Sequence, residues 1–172
     1  IRNDWREANP KIVKLWVDVE RAAKNAVSYG TEFEASKGSF KVVNGDLLFK
    51  LPSKRILSFP NAKIQPTDRG VELVYDGMNN HIHKWGQIKA YGGSLVQSIT
   101  QAVARDVLAE AVLRLERASY PVVLHVHDEI IADVPDEHGS LAEFEALMCE
   151  LPKWAEGLPV TAEGYESKRY RK

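Results

Sequence analysis

Cysteine is almost absent from this sequence: Cys149 stands alone among 172 residues. A single thiol forms no internal disulfide, and without a Cys-x-x-Cys partner it builds neither a structural zinc site nor a dithiol redox pair. A reducing, cytoplasmic setting is therefore expected. Nor does the chain contain an apolar run of about 18 residues, the length needed to span a bilayer. The opening stretch IRNDWREANP lacks both the apolar core and the small-residue cleavage pattern of a signal peptide. The chain reads as soluble, with no membrane partner. A strong basic excess is missing too: a net charge of −1 and a pI near 6.6 exclude the global positive field of a stand-alone nucleic-acid binder. There is no internal repeat, no low-complexity segment, and no Gly-rich turn after a first strand, so repeat architectures and doubly wound folds are set aside. The first residue is Ile1 rather than methionine, which points to a piece of something longer.

What is present suffices for a core. Hydrophobic residues make up 44% and charged residues 27%, the balance of a globular domain. Charge is unevenly spread: residues 1 to 60 carry +4, residues 61 to 120 carry +1, and residues 121 to 172 carry −6. A divalent cation would offset the acidic excess of that last third.

Asn9 and Pro10 suit an N-cap and first helical residue, and Ile12, Trp16, Val19, Ala23 and Val27 follow at helical spacing up to Gly30, predicting a helix over 10–29. The run FKVVNGDLLFKLP places Asn44-Gly45 between β-rich segments, a strong hairpin signal, and LPSKRILSF reverses at Pro52-Ser53. Three antiparallel strands are expected there. VELVYDGMNNHIHKWG predicts another hairpin turned by Gly77, Asn79 and Asn80. Ser94 and Gln97 have capping-box spacing ahead of an apolar stripe, predicting a helix over 94–118. VVLHV and EIIADV then read as paired strands. Ser140 and Glu143 open a helix through Leu151, LPVTAEGYE gives a last strand, and SKRYRK is a basic tail. This order predicts an α+β fold, an antiparallel sheet with long helices packed on one face, plus small β-hairpins.

Two groups of side chains carry candidate chemistry. His127, Asp128 and Glu129 interrupt an apolar strand pair. One reading is a polar surface turn. The other is a turn presenting carboxylate oxygens to Mg²⁺, which takes few protein carboxylates and leaves positions for water and substrate phosphates. His125 and His127, at i and i+2 of a strand, offer an imidazole pair for zinc but no third ligand. On the long helix Gln97, Gln101 and Arg105 stand at i, i+4 and i+8 and share a face. That face is either a solvated helix surface or a set of donor-acceptor amides suited to minor-groove base edges.

Taken together, YGGSLVQSITQAVARDVLAEAVLRLE, VVLHVHDEII and WAEGLPVTAEGYESKRYRK resemble the C-terminal part of family A DNA polymerases, the DNA polymerase I-like enzymes, in their phage-type form. DWREANPKIVKLW resembles the helical segment after the fingers, LPSKRIL the family's LPSGR strand, and HVHDE the third polymerase motif of the palm. The resemblance implies a helical segment following the fingers at 1–30, a β-hairpin region at 31–90 and a C-terminal palm portion at 91–172. It also implies that Asp128 binds the catalytic Mg²⁺ ions, that Glu129 lies near the primer end, and that His127 approaches the primer terminus. Gln101 and Gln97 would then touch the primer-template minor groove, with Arg105, on the same helix face, a further DNA-binding residue. The chain departs from the phage-type pattern at Gln97-Ser98, where Glu-Asn is usual, and at Lys54, where Gly is usual.

Nucleotidyl transfer with two metals needs carboxylates at two places. In the family the other set comes from an Asp-(Tyr/Phe)-Ser-x-x-Glu strand, and no Asp of this chain precedes Tyr or Phe. The Arg-x-x-x-Lys of the nucleotide-binding fingers helix is missing as well. The expectation is a palm fragment, inactive alone, whose partners are DNA primer-template, the remaining palm strand and fingers segments and, in the complete enzyme, dNTP. Homo-oligomers through unpaired strand edges are a further expectation. The competing readings are a module that binds DNA or a partner without catalysis, and a metal-dependent nuclease or phosphatase.

Overall fold

The computed structural model describes residues 2–68, 70–79 and 82–170. They form an α+β fold whose strand pairs are all antiparallel. Two compact units divide it, residues 1–103 and 104–172.

The first unit opens with helices α1 (Arg2–Ala8) and α2 (Pro10–Tyr29), joined at a stack of Trp5 on Trp16 with ring centroids 5.6 Å apart. As expected, α2 starts at Pro10 and stops at Gly30, whose φ of 67° supplies the left-handed cap. Asn9 precedes it, but its amide donates back to the Trp5 carbonyl instead of capping. The buried stripe of α2 is made of small residues, Ala22, Ala23 and Ala26 beside Val19, so the sheet lies close against it. That sheet has four strands rather than the expected three: β1 (Phe33–Ala35), β2 (Gly38–Val43), β3 (Asp46–Lys50) and β4 (Ile56–Phe59), paired in chain order. β1 has only three residues, too short to show an alternating pattern in the sequence. Asn44 and Gly45 turn β2 into β3 with φ of 53° and 90°, the two positive values a type I′ turn requires. Phe40 faces Phe49 across the pair, rings 4.6 Å apart and both buried.

A second sheet holds β5 (Lys63–Thr67), β6 (Gly70–Asn79) and β7 (Lys84–Ala90), again in chain order. Here the hairpin expectation needs correction. Gly77 lies inside β6 opposite Gly86, Asn79 ends that strand, and Asn80 lies outside the described residues. Phe40, Leu47, Phe49, Leu51, Leu73 and Leu95 form the buried centre of this unit with the α2 alanines.

Helix α3 (Gly92–Arg117) begins in the first unit and ends in the second. It starts two residues before the expected Ser94, and Ser94 is not the N-cap. Its hydroxyl instead accepts from the Tyr91 N–H at 3.0 Å, the reciprocal arm of a capping box one turn in. Glu20 accepts the Gly92 N–H at 2.8 Å, so α2 satisfies a free donor of α3.

In the second unit β8 (Val122–Val126) and β9 (Glu129–Ala132) make a two-stranded sheet, followed by α4 (Leu141–Cys149) and one 3-10 turn, Lys153–Ala155. The expected capping residue holds: Ser140 accepts from the Glu143 N–H at 3.1 Å. The other half of that box runs through Tyr120, which takes the Ser140 N–H at 3.1 Å and donates to Glu143 Oε2 at 2.7 Å. α4 ends at Cys149 rather than Leu151, since the residue before Pro152 is driven out of helical backbone. The expected last strand in LPVTAEGYE does not form. The Gly164 N–H is instead bound by the Glu145 carboxylate at 2.7 Å, which uses a backbone donor that a ladder would need.

Candidate metal-binding turn and nucleic-acid face

The end of α3 aims the β8–β9 hairpin. Tyr120 N–H bonds the Leu115 carbonyl at 3.0 Å and Ser119 N–H the Glu116 carbonyl at 3.1 Å, while Ser119 adopts φ 65°. This is a Schellman motif with serine in the usual glycine place, and its apolar contact partners, Leu115 and Tyr120, are both buried. Pro121 cannot continue the helix. Glu116 then accepts the Val122 N–H at 2.7 Å, and β8 leaves in extended form. Tyr120 is fixed further by edge-on contacts with Phe144 at 5.2 Å and His138 at 4.9 Å. Its phenol pKa is raised, first by the bond to the Glu143 carboxylate and then by burial.

Val126 pairs with Glu129, His125 with Ile130 and Leu124 with Ile131, with a register shift at Val123. Only two residues, His127 and Asp128, connect the strands. His127 has φ 55° and Asp128 does not share the positive sign, the φ pattern of a type II′ turn, whose first central position favours glycine. Histidine there costs about 1 kcal/mol of backbone strain. The sequence thus keeps an imidazole where turn chemistry alone would select glycine. His127, Asp128 and Glu129 are all exposed. The side chains of Asp128 and Glu129 are adjacent hard oxygen donors, chemically suited to Mg²⁺, which needs only one or two carboxylates from a protein. No group of three His, Cys, Asp or Glu able to hold a metal occurs among the described residues. Tyr170 reaches back from the tail, its hydroxyl 3.4 Å from Glu129 Oε2. The sequence marked SKRYRK only as a basic tail and gave no sign of this tyrosine contact.

The paired-histidine reading of a zinc site loses its geometric basis. β8 stops at Val126, so His125 and His127 do not stand at i and i+2 of one strand.

Gln97, Gln101 and Arg105 all lie on α3 and all are exposed, with Thr100 and Ala104 between them. Leu95 and Ala102 on the opposite side are buried. The first two belong to one unit and Arg105 to the other. Arg55 was not among the expected site residues. It follows the β3–β4 turn and donates from Nη2 to the Ala102 carbonyl at 2.9 Å, beside Gln101. Lys54, in the place where the phage-type pattern has glycine, takes φ 72°. The turn keeps its left-handed backbone and lysine bears the strain.

No helix among the described residues is long and apolar enough to cross a membrane. The chain matches no protein-family model and no solved structure. It is similar to a protein of Bacillus phage SP02 named DNA polymerase, with 44% identity over 171 residues and 98% of this chain. That match takes in 26% of the phage protein, so the chain spans about a quarter of its relative's length.

Proposed function

We propose that this chain is the C-terminal palm portion of a family A DNA polymerase and contributes to templated nucleotidyl transfer. The observation that carries the reading is the two-residue turn that exposes Asp128 beside Glu129, with His127 held at φ 55°; the likeness to a phage DNA polymerase along nearly the whole chain supports it. In this reading Asp128 would hold Mg²⁺, which when bound would stabilise charge on the attacking and leaving oxygens. Glu129 borders the primer end and is oriented by Tyr170. His127 approaches the primer terminus, and Gln97, Gln101 and Arg105 lie along the minor groove, where amides pair with the acceptors of A and T edges. The substrates would be primer-template and dNTP.

The chain by itself is proposed to be inactive, because it holds no Asp-(Tyr/Phe)-Ser-x-x-Glu motif and no Arg-x-x-x-Lys fingers helix. The experiment is an exchange: this chain replaces the matching quarter of the phage relative, and primer extension in Mg²⁺ is measured. The chimera is expected to extend a primer and to lose that activity with Asp128→Asn. A chimera whose extension is unchanged by Asp128→Asn would overturn the assignment. Extension by the isolated chain, abolished by Asp128→Ala, would overturn the proposed inactivity.

A further inference from the structure

The β6–β7 hairpin outruns its sheet. β5 pairs with β6 only from Gly70 to Val74, whereas β7 pairs with β6 from Leu73 to Asn79. Past Val74 the hairpin is still braced at Tyr75, which meets Phe59 edge-on at 5.2 Å, and at Asp76, whose N–H donates to the Pro60 carbonyl at 2.8 Å. From Met78 and Trp85 outward the two strands have no third strand beside them among the described residues. Near its tip Met78 and Trp85 face each other across the strands, 50% and 64% exposed, and Ile82 in the turn is 62% exposed. One step inward Gly77 pairs with Gly86, and a Cβ at Gly86 would meet nothing within 4 Å. The tip is thus a large aromatic side chain on a narrow arm, next to backbone that carries no side chains.

An exposed apolar tip needs a partner, and its charge selects one. From Gly77 to Ala90 there is no Asp or Glu, while Lys84, Lys89, His81 and His83 are present. Lys89 is engaged with Glu72 at 2.8 Å. Lys84 and His83, directly beside Trp85, are exposed. An aromatic face flanked by cations, with the neighbouring acid Asp76 taken up by the Asn61 amide at 2.8 Å, matches the way proteins hold unpaired nucleotides: bases stack on the ring and phosphates meet the cations.

We infer that the tip of the β6–β7 hairpin is a contact for single-stranded DNA, in which Trp85 stacks on an unpaired base between Met78 and Ile82 while Lys84 meets a phosphate. This rests on the polymerase reading above and adds to it a site away from the Asp128 turn and the glutamine face. The arm would engage the strand where it is unpaired.

The test uses the full chain and a fluorescein-labelled oligothymidylate, with a blunt duplex of equal length alongside, both read by anisotropy at low salt. Trp85→Ala is expected to weaken single-strand binding about tenfold, the loss of one stacked base, Trp85→Phe less, and Lys84→Gln to flatten the salt dependence. Duplex binding should be unaffected by these changes and weakened by Gln101→Ala. Single-strand affinity unchanged by Trp85→Ala overturns the inference and leaves the polymerase reading standing. Failure to bind either form of DNA overturns both. Trp85-dependent binding to anionic phosphatidylglycerol vesicles, with none to the oligonucleotide, would also overturn it.

Discussion

Gly92→Ala should unfold this protein's first unit more readily than any surface change of equal size. A Cβ added at Gly92 would stand 2.2 Å from the Trp16 carbonyl oxygen, 2.6 Å from its carbon and 3.0 Å from its Cα. All three atoms are backbone, so no side-chain rotation relieves the clash, and α3 must move off α2 by roughly 1 Å to restore contact distance. That shift would stretch the bond from the Gly92 N–H to Glu20 and open the packing around Ala22, Ala23 and Ala26. Overpacking a tight site costs about 1 to 3 kcal/mol, and helix propensity returns up to about 1 kcal/mol, leaving a net loss of about 1 kcal/mol. With a urea slope of about 2 kcal/mol/M, the midpoint should fall by about 0.5 M in unfolding followed by circular dichroism. Gly86→Ala is the internal control: its Cβ meets open space, so the midpoint should hold or rise slightly. If Gly92→Ala and Gly86→Ala shift the midpoint equally, the close approach of α2 and α3 does not constrain Gly92.

Relief of strained turns should separate stability from function. His127→Gly is expected to raise unfolding stability by about 1 kcal/mol in urea titration while reducing primer extension by the phage chimera; lower stability would contradict the strain. Lys54→Gly should stabilise by roughly 0.5 to 1 kcal/mol for the same reason, checked by the same titration. Arg55→Ala leaves the β3–β4 turn without its anchor on α3 and should cost about 1 to 2 kcal/mol, with weaker duplex binding if Gln101 depends on that anchor. Tyr120 has a raised pKa, so the stability drawn from its neutral phenol is complete below about pH 10 and lost as pH rises through its folded value. The urea midpoint should therefore fall from pH 9 to pH 11 more steeply in the unmodified chain than in Tyr120→Phe.

Local chemistry made much of this structure legible from sequence. The Asn44-Gly45 hairpin, the Pro10 start and Gly30 stop of α2, and the Ser140 cap depend on residues within a few positions of one another, and each appears where the pattern put it. The two-residue break at His127-Asp128 was legible for the same reason, because strand alternation fails there. Elements settled by distant partners were not. Ser94 looked like a cap until Glu20, from another helix, took the donor that sets the start of α3. LPVTAEGYE has the composition of a strand, yet the Glu145 carboxylate holds one of its backbone donors.

The candidate site divides in the same way. By itself the sequence determined which ionisable groups stand together at 127–129 and which amides recur along α3, since both follow from periodicity. Only the tertiary structure decided that His127 sits in left-handed backbone, that Tyr170 reaches Glu129, that Arg55 ties the β3–β4 turn beside Gln101, and that Trp85 stands exposed near the tip of the β6–β7 hairpin. Each of these depends on how far one segment extends past another or on what a distant side chain satisfies, and no local pattern encodes either quantity.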